Sequence, residues 1–121
     1  MNRTQTENLP KINLYLESSQ FDELFLEALD HTVSILGKGV KQAFFSFLNR
    51  KYNLSKEEIP DRIGDFTDGL EQIFGAGASL LELEIIKTLR QSVPSFCFEA
   101  NSSGLNFEAY AVSLREHVES L

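Results

Sequence analysis

The chain has no tryptophan, one cysteine, one methionine and two histidines among its 121 residues. A single cysteine, Cys97, excludes an internal disulfide. Two histidines, His31 and His117, and one cysteine leave little for a metal centre, which needs three or four convergent ligands at fixed spacing. No apolar run approaches the length that spans a bilayer. The opening "MNRTQTENLP" lacks the apolar core of a secretory signal, so the expected setting is cytoplasmic, without a membrane. The matching "NSS" at Asn101 then carries no meaning as a glycosylation site. Positive charge is also scarce, with 11 Lys and Arg against 18 Asp and Glu, a net charge of −7. Residues 1–27 carry five acids against two bases, residues 93–121 four against one, and residues 28–92 nine against eight. An acidic domain is repelled by phosphate backbones, so no nucleic-acid partner is expected. The bases Lys38, Lys41, Arg50 and Lys51 read as one solvated helix face.

What the chain does have is apolar periodicity. An apolar share of 42% and ten Phe indicate one globular domain with an aromatic core. Residues 1–10 read as a flexible polar tail closed by Pro10. In "KINLYLES", Ile12, Leu14 and Leu16 alternate with polar neighbours, a period-two pattern that suggests a short strand. From Ser19 or Gln20, Phe21, Leu24, Phe25, Ala28, Leu29, Thr32, Ile35 and Leu36 recur at three- and four-residue steps and predict a helix. Gly37-Lys38-Gly39 ends it. A second helix is expected from Val40 to Tyr52, with Val40, Phe44, Phe47 and Leu48 on one face and Phe45 off it. Ser55 and Glu58 form a capping box before a single turn stopped by Pro60. A short helix then runs from Asp65 or Thr67 to Phe74.

The stretch "FGAGASLLELEIIKTL", Phe74 to Leu89, poses the one nucleotide-binding question. A dinucleotide fingerprint requires a third glycine where Leu80 stands and a preceding strand where the pattern is helical. A P-loop requires Gly-Lys-Ser/Thr, which does not follow. Gly75 therefore reads as a left-handed helix cap and Gly77-Ala78-Ser79 as the next helix start. That helix, about Gly77 to Ser92, is apolar on most sides: Leu81, Ile85 and Leu89 form one stripe, and Leu80, Leu83 and Ile86 spread round the rest. Such a helix is either central or covered by a partner. Pro94 stops it. "SFCFE", residues 95–99, is a second extended candidate that would pair with residues 12–16. A last helix starts at Asn106, with Phe107, Tyr110, Ala111, Leu114, Val118 and Leu121 as its stripe. The expected fold is mainly α, a compact bundle of four main helices and two short ones, with a two-stranded element admitted at 12–16 and 95–99.

Chemistry is sparse. His31 in "HTVSILG" invites comparison with phosphotransfer helices, whose pattern sets a lysine three residues after the histidine and a glycine next. Ser34 and Ile35 stand there instead, so His31 reads as an edge-of-core residue, with Glu27 one turn away. Cys97 lies between two phenylalanines and reads as a small buried hydrophobe. No catalytic, cofactor-binding or metal-ligating residue is nominated, and no cofactor is expected.

Leu36-Gly37, Val40-Lys41, Tyr52-Asn53-Leu54, "EEIP" (Glu57 to Pro60), Phe66, Leu70-Glu71 and "IFGAGA" (Ile73 to Ala78) carry a resemblance. Over residues 28–89 the chain resembles a small archaeal domain family described as an output domain of signalling proteins, first named from Nitrosopumilus. The resemblance implies an intracellular helical module, with residues 28–92 as its core, linked to signalling or regulation. The leading expectation is a non-enzymatic interaction module with a protein partner or a second copy as a homodimer. Its candidate interface residues are Leu80, Leu83, Ile86, Phe45, Tyr110 and Leu114. The alternatives are a binder of small hydrophobic ligands, with a cavity lined by several of Phe25, Phe44, Phe47, Phe74 and Phe96, and a phosphotransfer protein using His31.

Overall fold

Five α-helices build the domain, and no strand occurs among the described residues. The structure, a computed structural model, describes residues 9–96 and 106–121, with side chains from Gln20 onward. The helices are α1 (Leu9–Ile35), α2 (Lys38–Tyr52), α3 (Ile63–Phe74), α4 (Ala78–Ser92) and α5 (Phe107–Glu119). Two 3-10 segments, Lys56–Asp61 and Gly75–Gly77, complete the chain path.

The expected strand at 12–16 is corrected: those residues lie within α1, which runs for 27 residues, about 40 Å at the α-helical rise. The alternation of Ile12, Leu14 and Leu16 spans too few residues to fix a period. Leu9, Ile12 and Leu16 also recur at three- and four-residue steps, which suits a helix equally well. Pro10, read from sequence as the end of a tail, is the second residue of α1, where its missing N–H costs no intrahelical bond. Of the proposed partner strand, Ser95 lies in a turn and Phe96 outside any helix, and residues 97–99 are outside the described residues.

The remaining boundaries follow from local chemistry. Asn53 closes α2 in the left-handed conformation (φ 52°, ψ 45°), which asparagine tolerates better than most residues. The Leu54 N–H then returns to the Leu48 carbonyl at 3.3 Å, and Leu54 itself is buried. Glu58 accepts from the Ser55 backbone N–H at 2.9 Å and from its hydroxyl at 3.1 Å, as the capping box requires. Arg62 ties α2 to α3: its guanidinium donates to the carbonyls of Tyr52 (2.8 Å) and Asn53 (3.0 Å) and to the carboxylate of Asp65 (2.8 Å). Asn106 caps α5 by accepting from the Ala109 N–H at 3.0 Å.

The core is aromatic. Phe66 of α3 meets Phe25 of α1, Phe44 of α2 and Phe107 of α5 with ring centroids 6.0, 6.0 and 6.2 Å away, so one side chain ties its own helix to three others. The edge-on contacts to Phe25 (81°) and Phe44 (72°) suit the aromatic quadrupole. Ile85 and Leu89 of α4 are fully buried in the same core. Thr32 is the one buried polar residue in it among the described residues, and its hydroxyl donates back to the Ala28 carbonyl at 2.9 Å. Gly69 lets α2 and α3 approach closely: a Cβ there would lie 2.4 Å from Leu48 Cδ2.

Candidate interaction surface

Helix α4 carries more apolar side chains than one buried face can use. Ala78, Ile85, Ile86 and Leu89 point into the bundle, with Leu81 partly buried beside them. At 100° per residue, Leu80, Leu83 and Lys87 then fall on the opposite side. Leu80 is 70% exposed and Leu83 49%, the former among the most exposed large apolar residues described. Ile73, at the end of α3, is also exposed, as is Ala76 in the 3-10 turn that follows. These residues make an apolar strip over the α3–α4 corner.

Gly75 makes that corner possible. Its φ of 55° and ψ of −128° fall outside what L-residues readily adopt. The left-handed cap read from sequence is met in φ alone, because ψ of −128° lies outside the left-handed helical region, and a single 3-10 turn joins α3 directly to α4. No strand precedes the glycines, so the geometry of a dinucleotide loop is not formed here.

Glu82, partly buried, stands in the first half of the helix with Glu71 of α3 close enough to affect it. Burial first, and then the Glu71 carboxylate, push the Glu82 carboxyl above the usual range. Lys87 and Arg90, both exposed, occupy the second half. Glu82 itself lies about 160° round the helix from Leu80, towards the bundle, whereas half-buried Glu84 flanks the strip beside Lys87, so the strip is bordered by charges of both signs.

The nominated interface residues separate on burial. Leu80 and Leu83 face outward as an interface requires. Ile86 is 7% exposed, Tyr110 3% and Leu114 0%, so these three are core of this chain and are withdrawn as surface residues. Ile86 sits only one helical step off the inward stripe. Tyr110 and Leu114 lie on the α5 face that meets α1 and α3. Phe45 is partly buried, packs on Phe44 at 5.7 Å and is covered by the Lys56 ammonium 5.4 Å from its ring centre. A cation from the same chain thus occupies the ring face that was offered to a partner.

One exposed cluster escaped the sequence reading. Ile35 (64% exposed), Leu36 and Val40 gather at the α1–α2 turn. Their spacing continues the inward stripes of α1 and α2, but the helices overshoot the bundle there. Nothing in the residue pattern marks where a neighbouring helix stops.

The histidines do not build a catalytic centre. His31 is exposed, not at the core edge, and shares a shallow concavity with Glu23, Leu26, Glu27, Asp30 and Lys56. Three carboxylates around it disfavour the approach of a phosphoryl donor. The Lys56 ammonium there is held by Asp30 at 3.0 Å, and Lys41 by the same carboxylate at 2.6 Å. Those two bonds keep the Asp30 carboxyl below its ordinary range. His117 Nε2 lies 3.0 Å from the Ser95 hydroxyl, with the Phe96 ring 5.1 Å away. A serine–histidine pair needs a third group to orient the imidazole, and no acid contact to His117 occurs among the described residues. Cys97 lies outside the described residues. No group of three His, Cys, Asp or Glu that could hold a metal ion forms among the described residues. No helix among them is long and apolar enough to cross a membrane.

Among the described residues, the five phenylalanines proposed to line a ligand cavity pack on other rings in several separate clusters. Phe25 packs against Phe21, Phe66 and Phe107, Phe44 against Phe45, Phe66 and Phe74, Phe47 against Tyr52, and Phe96 against Tyr110.

Comparison with protein-family models, with curated proteins and with solved structures finds no match for this chain.

Proposed function

We propose that the protein is a non-enzymatic helical interaction module of regulatory type, which binds a protein through the exposed strip of α4. The observation that carries this reading is Leu80. A leucine 70% exposed, flanked by exposed Leu83 and Ile73, adds nothing to this chain's own core. Isolated surface leucines need no explanation, but a run of them over one corner of a small domain suits a binding face. The signalling setting rests on the family resemblance of residues 28–89. Against a hydrophobic-ligand role stands the mutual packing of the phenylalanines. Against phosphotransfer stands the acidic surround of His31.

The test is site-specific photo-crosslinking in the native host. A photoreactive residue at Leu80 or Leu83 should give discrete protein adducts, and one at Ser46, on the outer face of α2, should not. Adducts at Ser46 equal to those at Leu80, or none at either leucine, would refute the assignment of this face.

A further inference from the structure

We infer that the junction of α1, the Lys56–Asp61 segment and α5 is a proton-responsive clasp, which tightens when Asp22 takes up a proton. Its basis is the number of acceptors crowding one guanidinium nitrogen, and it stands apart from the binding face on α4.

Phe21 is buried in the core, and the Arg115 guanidinium of α5 lies over its ring at 4.6 Å. Asp22, the next residue, is thereby held at the edge of that guanidinium, with 26% of its side chain exposed. The end of the 3-10 segment brings Pro60 and Asp61 to the same place. Arg115 Nη2 then meets the Pro60 carbonyl at 2.7 Å, Asp61 Oδ1 at 3.0 Å and Asp22 Oδ1 at 3.5 Å. That nitrogen carries only two hydrogens. The two shorter contacts use them, and the third is longer than an ordinary N–H···O bond. Asp22 has no other donor among the described residues, so its carboxylate is the acceptor left over.

Three charged groups act on Asp22: Asp61 from the 3-10 segment, and Arg115 and Glu119 from α5. Glu119 lies 3.6 Å from Arg115 Nη1, so three carboxylates share one guanidinium and two negative charges stay unmatched. Asp61 and Glu119 are well exposed and keep their water, whereas Asp22 is the least exposed of the three. Burial first, and then Asp61, push the Asp22 carboxyl above its ordinary range, against the pull of Arg115. Protonation of Asp22 removes an anion from a place where water is partly excluded. It also ends the repulsion with Asp61 and Glu119. A carboxyl raised by folding holds its proton more tightly in the folded chain than in the unfolded one. Its contribution to stability is present at low pH and is lost as pH rises through the folded value. Asp30 and Glu58, whose carboxyls are depressed, act in the opposite sense. The clasp therefore gains where those contacts weaken.

Asp22→Asn, neutral at every pH, tests the inference. The difference in melting temperature between this variant and its parent isolates Asp22 from the other titrating groups. It should favour the variant most at neutral pH and shift towards the parent as pH falls through the carboxylate range. In an Asp61→Ala background the same shift should be smaller, because Asp22 then takes the freed N–H and loses a like-charged neighbour. Carbon-13 NMR of the unaltered chain reads the Asp22 carboxyl directly, and decides the matter alone if circular dichroism shows that a variant does not fold. That carboxyl should titrate above the ordinary aspartate range. A difference that favours the parent increasingly towards neutral pH would mean an ordinary ion pair with Arg115 and overturns the inference. So does a difference that does not vary with pH, a shift unaltered by Asp61→Ala, or an Asp22 carboxyl that titrates at or below the ordinary range.

Discussion

Gly69→Ala should destabilise the protein, although alanine is the better helix former. Gly69 is buried in α3 with an ordinary helical backbone, so conformational strain is not at issue. Propensity alone predicts a gain of about 1 kcal/mol for replacing glycine inside a helix. Space predicts the reverse. The new Cβ would sit 2.4 Å from Leu48 Cδ2, and Tyr52 Cε2 already stands 3.5 Å away on the same side. Carbon atoms prefer about 3.5–4.0 Å, so the Leu48 methyl must retreat by roughly 1 Å. Leu48 is fully buried and has nowhere open to go. Overpacking of this kind costs about 1–3 kcal/mol. The difference is a net loss of about 1 kcal/mol, which lowers the melting temperature of a domain this size by about 5 °C. Urea unfolding followed by circular dichroism measures it. Two companion variants locate the cause. Gly39→Ala, where a Cβ meets nothing within 4 Å, should be neutral or stabilising by up to about 1 kcal/mol. In the Gly69→Ala background, Leu48→Val should cost less than it does in the unaltered chain, because valine has no Cδ to collide. A Gly69→Ala protein as stable as its parent, with no coupling to position 48, would refute the close-packing argument.

Three further outcomes follow from other contacts. Arg115 of α5 donates to the Pro60 carbonyl at 2.7 Å, pairs with Asp61 at 3.0 Å and covers the Phe21 ring at 4.6 Å. Arg115→Met should therefore cost about 1–2 kcal/mol of unfolding free energy, and Arg115→Lys should recover only part of it, since one ammonium cannot reproduce the guanidinium fork. Gly75→Ala should destabilise by about 1–3 kcal/mol through backbone strain at φ 55°, although a Cβ there meets no atom within 4 Å; an unchanged urea midpoint would contradict it. The Glu58 carboxyl is held below its ordinary value first by the Ser55 backbone N–H and then by its hydroxyl. A depressed acid contributes stability above its unfolded value and loses it as pH falls through its folded value. Melting temperature followed from neutral pH down through the carboxylate range should thus fall less steeply in Glu58→Gln than in the parent.

Much of this architecture was readable from residue spacing, because most of these helices are amphipathic and short. Phe107, Tyr110, Ala111, Leu114 and Val118 form a stripe at three- and four-residue steps, and all five are buried. Asn106, Gly37, Gly75 and Pro94 marked helix limits through their own backbone preferences. Two things were not readable. The first is the start of α1: five alternating residues around Leu14 satisfy either period, and only the backbone, which continues α1 through them, decides between the two. The second is which side of α4 faces out. With Leu80, Leu81, Leu83, Ile85, Ile86 and Leu89 all apolar, periodicity leaves two rival inward faces. The choice is made by the neighbours, since α4 packs mainly along α1, and that requires knowing where α1 lies. The same ignorance set Tyr110 and Leu114 at an interface and left Ile35 inside. A stripe shows that a face is buried or bound, and only the arrangement of helices distinguishes the two.

That distinction gives a last measurable consequence, which separates folding from binding on a single helix. Ile85 and Leu80 are both aliphatic residues of α4, five positions apart, with 0% and 70% of their surface exposed. Ile85→Ala removes core contacts and leaves a cavity, so it should cost about 2–5 kcal/mol. Leu80→Gln exchanges one exposed side chain for another of good helix propensity, so it should change stability by no more than about 0.5 kcal/mol. Chemical denaturation at a concentration where the chain is monomeric compares the two without any contribution from association. A large loss from Leu80→Gln under those conditions would mean that Leu80 is covered by this chain itself, and the binding face would have to be sought elsewhere, with the Ile35, Leu36 and Val40 cluster as another exposed apolar surface among the described residues. A negligible loss means that the leucine is dispensable to the fold. Together with exposed Leu83 and Ile73 it is then free to serve a partner.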